Sequence, residues 1–266
     1  MRFLVVLLAL AAVVTPAAAQ DVPVNPALTD RFTFAVGAFY PKTTTEVRID
    51  STRLGVGAGI QLEDSLGMES RKAVPNLGVR WRFAERFRVE MEYFALNRSG
   101  ERVIDRDLQI GDQVFAANSN VTSSFDFFDL RVSAGYSFFK RTDKEVGVGL
   151  GLHMAGYDIS FTSNATGTSQ EDVLAPLPVV SLYGQFALTD RWAVGGRIDR
   201  FSLSYENFDG KLTSLGLDVT YQPFRHVGFG LAYRTLFISL EAEKNSRTLK
   251  FEQSFDGPLL FMTASF

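Results

Sequence analysis

Polar and apolar residues alternate one for one through most of this chain, in stretches too long for an ordinary sheet. In FRVEMEYF, Phe87, Val89, Met91 and Tyr93 alternate with Arg88, Glu90 and Glu92. In FFDLRVSAGYSFF, one face carries Phe128, Leu130, Val132, Ala134, Tyr136 and Phe138, and the other Asp129, Arg131, Ser133 and Ser137. Successive side chains of a β-strand point to opposite faces, so each stretch predicts a strand with one apolar and one charged side. Strands of soluble sheets usually run about five or six residues, whereas a tilted strand crossing a bilayer needs roughly 9 to 11. A sandwich hides its apolar face; a transmembrane barrel turns it to lipid and keeps the polar face for its lumen. The lengths favour the barrel.

The N-terminus supplies a compartment. MRFLVVLLALAAVVTPAAAQ has Arg2 at its start, an apolar run from Phe3 to Val14, and Ala17, Ala18 and Ala19 before Gln20. That pattern predicts a cleaved secretory signal peptide over residues 1–19, too short for the roughly 20 residues of a spanning helix. Nothing later in the chain offers an apolar run long enough for a helical span. Lys and Arg together number 27 against 30 Asp and Glu, so there is no basic excess to neutralise a phosphate backbone, and nucleic acid is not an expected partner. The absence of cysteine removes disulfides and thiolate metal sites.

Four short polar segments join alternating strands: RFAERF around Glu85, SFFKRTDKEV around Thr142, FALTDRW around Asp190 and YQPFRHV around Arg225. Between them in sequence lie longer polar connectors, such as NRSGERVIDRDLQIGDQVFAANSN and SNATGTSQEDVLAP. Short turns alternating with long loops distinguish the periplasmic from the extracellular end of outer-membrane barrels. Aromatic rings cluster beside the short turns: Trp81, Phe83 and Phe87; Tyr136 and Phe138; Phe186 and Trp192; Tyr221 and Phe229. With Phe32 and Phe266 where the sheet would close, they read as a periplasmic aromatic girdle at a membrane interface.

The chain ends LFMTASF, with Leu260, Met262, Ala264 and Phe266 on one face and Thr263 and Ser265 on the other. In this it resembles the small outer-membrane β-barrel proteins of Gram-negative bacteria, the broad group of OmpA-like and OmpW-like barrels. The resemblance covers roughly Arg31 to Phe266; position 264 is Ala, where that group commonly has a bulky aromatic. It implies an outer-membrane location reached by Sec-type export, recognition of Phe266 by the barrel-assembly machinery, and outer-membrane lipids and lipopolysaccharide as surroundings.

Turn counting predicts an all-β, antiparallel, up-and-down barrel of ten strands. They lie near 31–40, 72–83, 87–98, 122–139, 146–161, 174–188, 191–205, 211–222, 227–242 and 248–266, after a short periplasmic segment over 20–30. Residues 43–71 are expected to form a long first extracellular loop. TTTEVRIDSTRLGVGAGIQLEDSLG, within it, is either an outer loop with its own hairpin or two further spanning strands, making twelve; eight would require demoting a well-patterned hairpin.

The inward positions predict a lumen ion-pair network of Arg80, Arg82, Arg88, Arg131, Arg197 and Arg234 with Glu90, Glu92, Asp129, Asp199 and Asp218, since buried charge persists only when paired. Small residues also face inward: Thr33, Ala35 and Gly37; Gly147, Gly149 and Gly151; Gly228, Gly230 and Ala232. Long side chains reaching into that space predict a plugged or very narrow lumen.

Few motifs point to chemistry. GVGLGL places its glycines on one face of a strand, not in a phosphate nest before a helix. Glu90 and Glu92 read as ion-pair partners rather than an acid/base couple, His153 as an interior residue, and His226 as part of a turn. Glu63, Asp64 and Glu69 lack the spacing of a calcium loop. No catalytic, cofactor or metal residue is expected. The sequence therefore predicts a non-enzymatic barrel, structural or a narrow conduit for small solutes. The alternatives are an outer-membrane enzyme, lipid A-modifying or protease-like, and a protein of loop-mediated surface recognition or adhesion.

Overall fold

The alternating stretches do form strands, and most continue beyond their apolar segments. The computed structural model describes residues 24–51, 56–103, 108–110, 113–116, 118–163, 167–205, 208–244 and 247–266. The expected signal peptide lies outside them. The strands are β1 (Phe32–Phe39), β2 (Lys42–Ser51), β3 (Val56–Gln61), β4 (Val74–Ala84), β5 (Phe87–Val103), β6 (Leu108–Ile110), β7 (Gln113–Phe115), β8 (Asn120–Lys140), β9 (Lys144–Ser163), β10 (Gly167–Ala187), β11 (Trp192–Tyr205), β12 (Phe208–Tyr221), β13 (Val227–Lys244) and β14 (Arg247–Ser265). Two short helices are α1 (Pro26–Thr29) and α2 (Leu62–Leu66).

Strands β1, β4, β5, β8, β9, β10, β11, β12, β13 and β14 pair in that order, and β1 pairs again with β14, closing an antiparallel barrel of ten strands with β2 and β3 as additions. The seam is hydrogen-bonded to the last residue: the Phe32 amide donates to the Phe266 carbonyl at 2.8 Å and the Phe266 amide to the Phe32 carbonyl at 2.9 Å. A chain ending in Phe266 thus closes the final rung while its ring stays outside, 59% exposed.

Strands β1 and β2 follow one register along β14, from Thr33 opposite Ser265 to Ser51 opposite Arg247. The break between them is at Pro41, which has no amide hydrogen to give to a ladder. The β2–β3 hairpin therefore rises as an extension of the barrel wall. After it the chain leaves the wall as α2, where Leu62 and Leu66, one turn apart, are both buried and Gly67 ends the helix at φ 68°. Gly100 of β5 lets residues 66–68 pass close by, since a Cβ there would meet the Leu66 carbonyl oxygen.

Residues 43–71 hold the hairpin of their own that the loop reading allowed, β2–β3, followed by α2. One expectation about connections is corrected. SNATGTSQEDVLAP is mostly strand: β9 and β10 pair from Phe186 opposite Lys144 to Gly167 opposite Ser163, leaving only 164–166 between them. Similarly, 206–207 and 245–246 are all that separates β11 from β12 and β13 from β14. Thr168, Gln170 and Asp172 are polar because they face water at the outside of a sheet; polarity alone does not make a loop.

The exterior of the inner half, at the end where Phe32 and Phe266 meet, is a belt of exposed apolar side chains. Leu150 is 70% exposed, Leu260 66%, Leu231 58% and Leu217 57%. A belt of this kind has no counterpart on a soluble monomer and is the surface a barrel presents to hydrocarbon. Aromatic rings line its inner edge: Phe32, Trp81, Phe83, Phe87 and Tyr136 form a run with centroids 5.1 to 6.1 Å apart, Trp192 and Tyr221 lie 4.7 Å apart, and Phe138, Phe186 and Phe229 are exposed at the same end.

Candidate functional site

The lumen is filled in two layers of opposite chemistry. In the outer half most inward side chains are apolar, with Thr45, Ser123 and Gln253 buried among them: Phe39, Phe94, Leu96, Phe125, Phe127, Tyr157, Leu212, Ile238 and Phe255 form one buried cluster, with Leu62, Leu66 and Met68 from α2 and the segment after it. Phe127 and Phe255 stack at 4.6 Å, Phe94 stands edge-on to Phe255 at 5.5 Å, and Tyr157 meets Phe127 at 5.1 Å. This contradicts a lumen charged throughout. The outer half lies beyond the apolar belt, with Thr122, Ser124 and Asp126 on the outside of β8. A wall with water on its outside buries apolar residues inside, as any soluble barrel does.

Among the described residues, one ion pair crosses into this layer. Glu63 of α2 lies 2.5 Å from Arg98 and accepts the Thr45 amide at 2.9 Å; Arg98 also donates to Thr45 Oγ1 at 2.9 Å and lies over the Phe125 ring. These contacts fix α2 inside the barrel. Asp64 and Glu69 do not join Glu63 at a cation site: the Asp64 carbonyl takes Arg102, the Glu69 carbonyl takes Arg98, and no group of three or more His, Cys, Asp or Glu is placed to hold a metal among the described residues.

The inner half is ionic. Glu90 lies 2.5 Å from Arg197, 3.2 Å from Arg88 and 3.5 Å from Arg131. Glu92 lies 2.5 Å from Arg234 and 2.9 Å from Arg131. Asp199 accepts from Arg197 Nε at 2.8 Å and from Ser181 at 2.5 Å, and its carboxylate is 3.7 Å from His153 Nε2. The other ring nitrogen of His153 is 3.0 Å from both oxygens of Asp129. These pairs join nine of the eleven lumen residues singled out in the sequence, adding Arg82 through the Glu145 cluster below. The two exceptions are Arg80, which meets only neutral acceptors, and Asp218, which has no hydrogen bond or ion pair among the described residues.

Glu145, which the sequence analysis passed over, is a hub of this layer. Fully buried, it accepts both terminal nitrogens of Arg82 at 2.9 and 2.8 Å, Lys140 at 3.0 Å and the Ser137 hydroxyl, and it lies 3.5 Å from Arg88. Tyr183 completes the cluster, its hydroxyl 3.0 Å from Ser137 and its ring 3.4 Å beneath the Arg88 guanidinium. Its ring needs glycine on the facing strands, since a Cβ on Gly147 would come within 2.3 Å of it. Glu145 shares its parity with Gly147, Gly149 and Gly151, so the alternation contained the signal; its place beside a turn hid it.

The inner mouth is occupied by α1, in the segment expected to be a short periplasmic lead-in. Asn25 caps the helix by accepting the Ala27 amide at 3.0 Å and donates to the Thr189 carbonyl. Lys140 donates to the Leu28 carbonyl at 2.5 Å, Arg80 to the Ala27 carbonyl, and Arg225 makes a two-pronged pair with Asp30 at 2.6 and 2.9 Å, which raises the Arg225 guanidinium. His226, in the same turn, lies 2.7 Å from the Ser265 carbonyl and stacks on Phe266. Between α1 and the apolar layer lies a cavity of about 190 Å³, walled by the ionic side chains.

A closed antiparallel barrel with a lipid-type belt outside and buried charge within decides the architecture. The chain has the fold of an outer-membrane β-barrel. No family model matches its sequence, and no curated protein does. Among solved structures it is similar to the outer-membrane protease OmpT of Escherichia coli, at 8% identity and a TM-score of 0.58, covering 88% of this chain and 97% of that one. The translocator domain of the autotransporter NalP of Neisseria meningitidis superimposes at 11% identity with a TM-score of 0.49, over 90% of this chain and 89% of that one. The toluene transporter TodX of Pseudomonas putida does so at 9% identity and a TM-score of 0.35, over 92% and 93%. At such identities the likeness to OmpT speaks to the barrel and not to any activity.

Proposed function

We propose that this protein is a sealed, non-enzymatic outer-membrane barrel, a structural element that carries a stiff β-walled extension outside the bilayer, and not a solute conduit. The observation that supports this reading is the apolar core of the outer half. A pore must be wet along its axis, and a layer in which Phe125, Leu96, Leu212, Ile238 and Phe255 are all fully buried excludes water much as a soluble protein core does. The ionic layer beneath adds a second obstruction, because its guanidinium and carboxylate groups hold one another across the lumen. The α1 segment narrows the remaining mouth.

The same layering bears on catalysis. His153 is 2% exposed, with Asp129 and Asp199 on either side, and the apolar core lies between it and the outer surface. A general base must come within hydrogen-bond reach of its substrate, and this one sits where no lipid or peptide at the outer rim reaches it. Location in the outer membrane follows from the belt and from the fold, and the seam closed by Phe266 suits delivery by the barrel-assembly machinery.

Planar-bilayer recording of the purified protein tests the reading. The expected result is no stable conductance step above the lipid baseline. Reproducible openings with a defined ion selectivity would replace the sealed barrel by the conduit.

A further inference from the structure

Two opposite charges in the ionic layer, Arg80 and Asp218, make no salt bridge among the described residues; both line the same cavity, where Asp218 lies in the field of Arg80 and Arg234 without touching either. Arg80 donates to Gln185 Oε1 at 2.9 Å, to Thr33 Oγ1 at 3.0 Å and to the Ala27 carbonyl, all neutral acceptors. Glu90, its cross-strand neighbour, is already held by three other arginines. Asp218 has no donor at all among the described residues. Its carboxylate lies over Gly195, where a Cβ would come within 2.6 Å of it, so the glycine keeps the space the carboxylate occupies. Arg234, the base on the neighbouring strand, reaches Glu92 instead.

Charge drawn even part of the way out of water is costly unless paired, and Arg80 and Asp218, both half-buried and of opposite sign, share one space with no salt bridge to either. A molecule carrying both a carboxylate and an ammonium satisfies both. Guanidinium binds carboxylate with two parallel hydrogen bonds, and a carboxylate is the natural acceptor of an ammonium. The cavity holds about 190 Å³; at the ~30 Å³ that a water occupies in the liquid, that is room for about six non-hydrogen atoms. Ser214, Thr220 and Thr263 add hydroxyls to its wall. We propose that the lumen cavity binds a small zwitterion of the amino-acid class, its carboxylate on Arg80 and its ammonium on Asp218.

Access is from the inner end. The apolar layer closes the other side, whereas Ala27 of α1 lines the cavity and gives its carbonyl to Arg80. A ligand carboxylate that takes Arg80 removes one of the bonds holding α1, so occupancy and release of α1 are coupled. The site goes beyond the sealed-barrel reading and does not depend on it: a periplasm-facing pocket binds its ligand whether or not ions cross the outer half.

Titration calorimetry on the detergent-solubilised full chain at pH 7 tests the proposal, with L-alanine, propionate and ethylammonium as probes. L-alanine should bind saturably, and each single-charge probe at least about tenfold more weakly. Asp218→Asn, nearly isosteric, should lower L-alanine affinity by about tenfold or more while leaving propionate unchanged, and Arg80→Gln should do the converse for ethylammonium. The three probes on the unaltered protein are decisive even where a variant fails to fold. Absence of saturable L-alanine binding, propionate or ethylammonium binding as tightly as L-alanine, or an Asp218→Asn protein that binds L-alanine unchanged would each overturn the site.

Discussion

The two halves of this barrel use one backbone pattern with opposite chemistry. On β8 the inward residues run Val121, Ser123, Phe125 and Phe127 in the outer half, then Asp129, Arg131 and Ser133 in the inner half. Its outward residues run Thr122, Ser124 and Asp126, then Phe128, Leu130 and Val132. Strand β9 inverts in the same way, with Tyr157 and Phe161 inside above His153, and Asp158, Ser160 and Thr162 outside above Met154. The pleat never changes its parity; what changes is the solvent beyond the wall. Where hydrocarbon lies outside, apolar residues face it and charges retreat into the lumen as a paired network. Where water lies outside, the same alternation turns over and the lumen becomes a conventional core.

Substitutions at the four kinds of position sharpen or break this contrast. Glu145→Ala, in the inner interior, strands Arg82, Arg88 and Lys140 without their shared carboxylate. Removing one partner of a buried pair costs about 3–5 kcal/mol, so this change should have the largest effect, read as a lower midpoint of urea unfolding in vesicles. Phe127→Ala in the outer interior should cost about 3–5 kcal/mol by opening a cavity among Phe94, Tyr157 and Phe255. A near-neutral Phe127→Ala would mean that the outer lumen is not close-packed.

The exterior positions carry smaller effects. Val132→Arg, on the inner exterior, places a cation in hydrocarbon and should cost about 2–4 kcal/mol, visible as reduced insertion and loss of the heat-modifiable band. Thr122→Arg lies on the same face of the same strand, in the outer half, and should stay within about 0.5 kcal/mol of the unaltered protein. Equal penalties for these two arginines would erase the distinction between the halves.

Much of this was legible as parity. Inward placement of Glu90, Glu92, Asp129, Arg131 and Asp199 follows from counting by twos along well-patterned strands, and the closing of the sheet at Phe266 from the alternation that reaches it. The inversion was not legible, because a period-two pattern identifies two faces without saying which solvent meets which. SSFDFF reads equally as a membrane strand or as a soluble one, and only its position along the barrel separates the readings. Polar stretches such as SQEDV read as loop for the same reason. The place of α2 depends on contacts between Glu63, Arg98 and Thr45, far apart in sequence, and that of α1 on Asp30 and Arg225, which no local pattern links.

The chain lacks cysteine, so single cysteines carrying a spin label can be placed one at a time along β8 from position 122 to 138. Relaxation by oxygen, which partitions into lipid, and by a water-soluble nickel chelate then reports what each outward position touches. The expected result is nickel accessibility at 122, 124 and 126, oxygen accessibility at the outward positions from 128 to 136, and neither reagent at 127. Oxygen accessibility throughout the outward set, or nickel reaching position 127, would contradict a sheet that changes its chemistry halfway along its length.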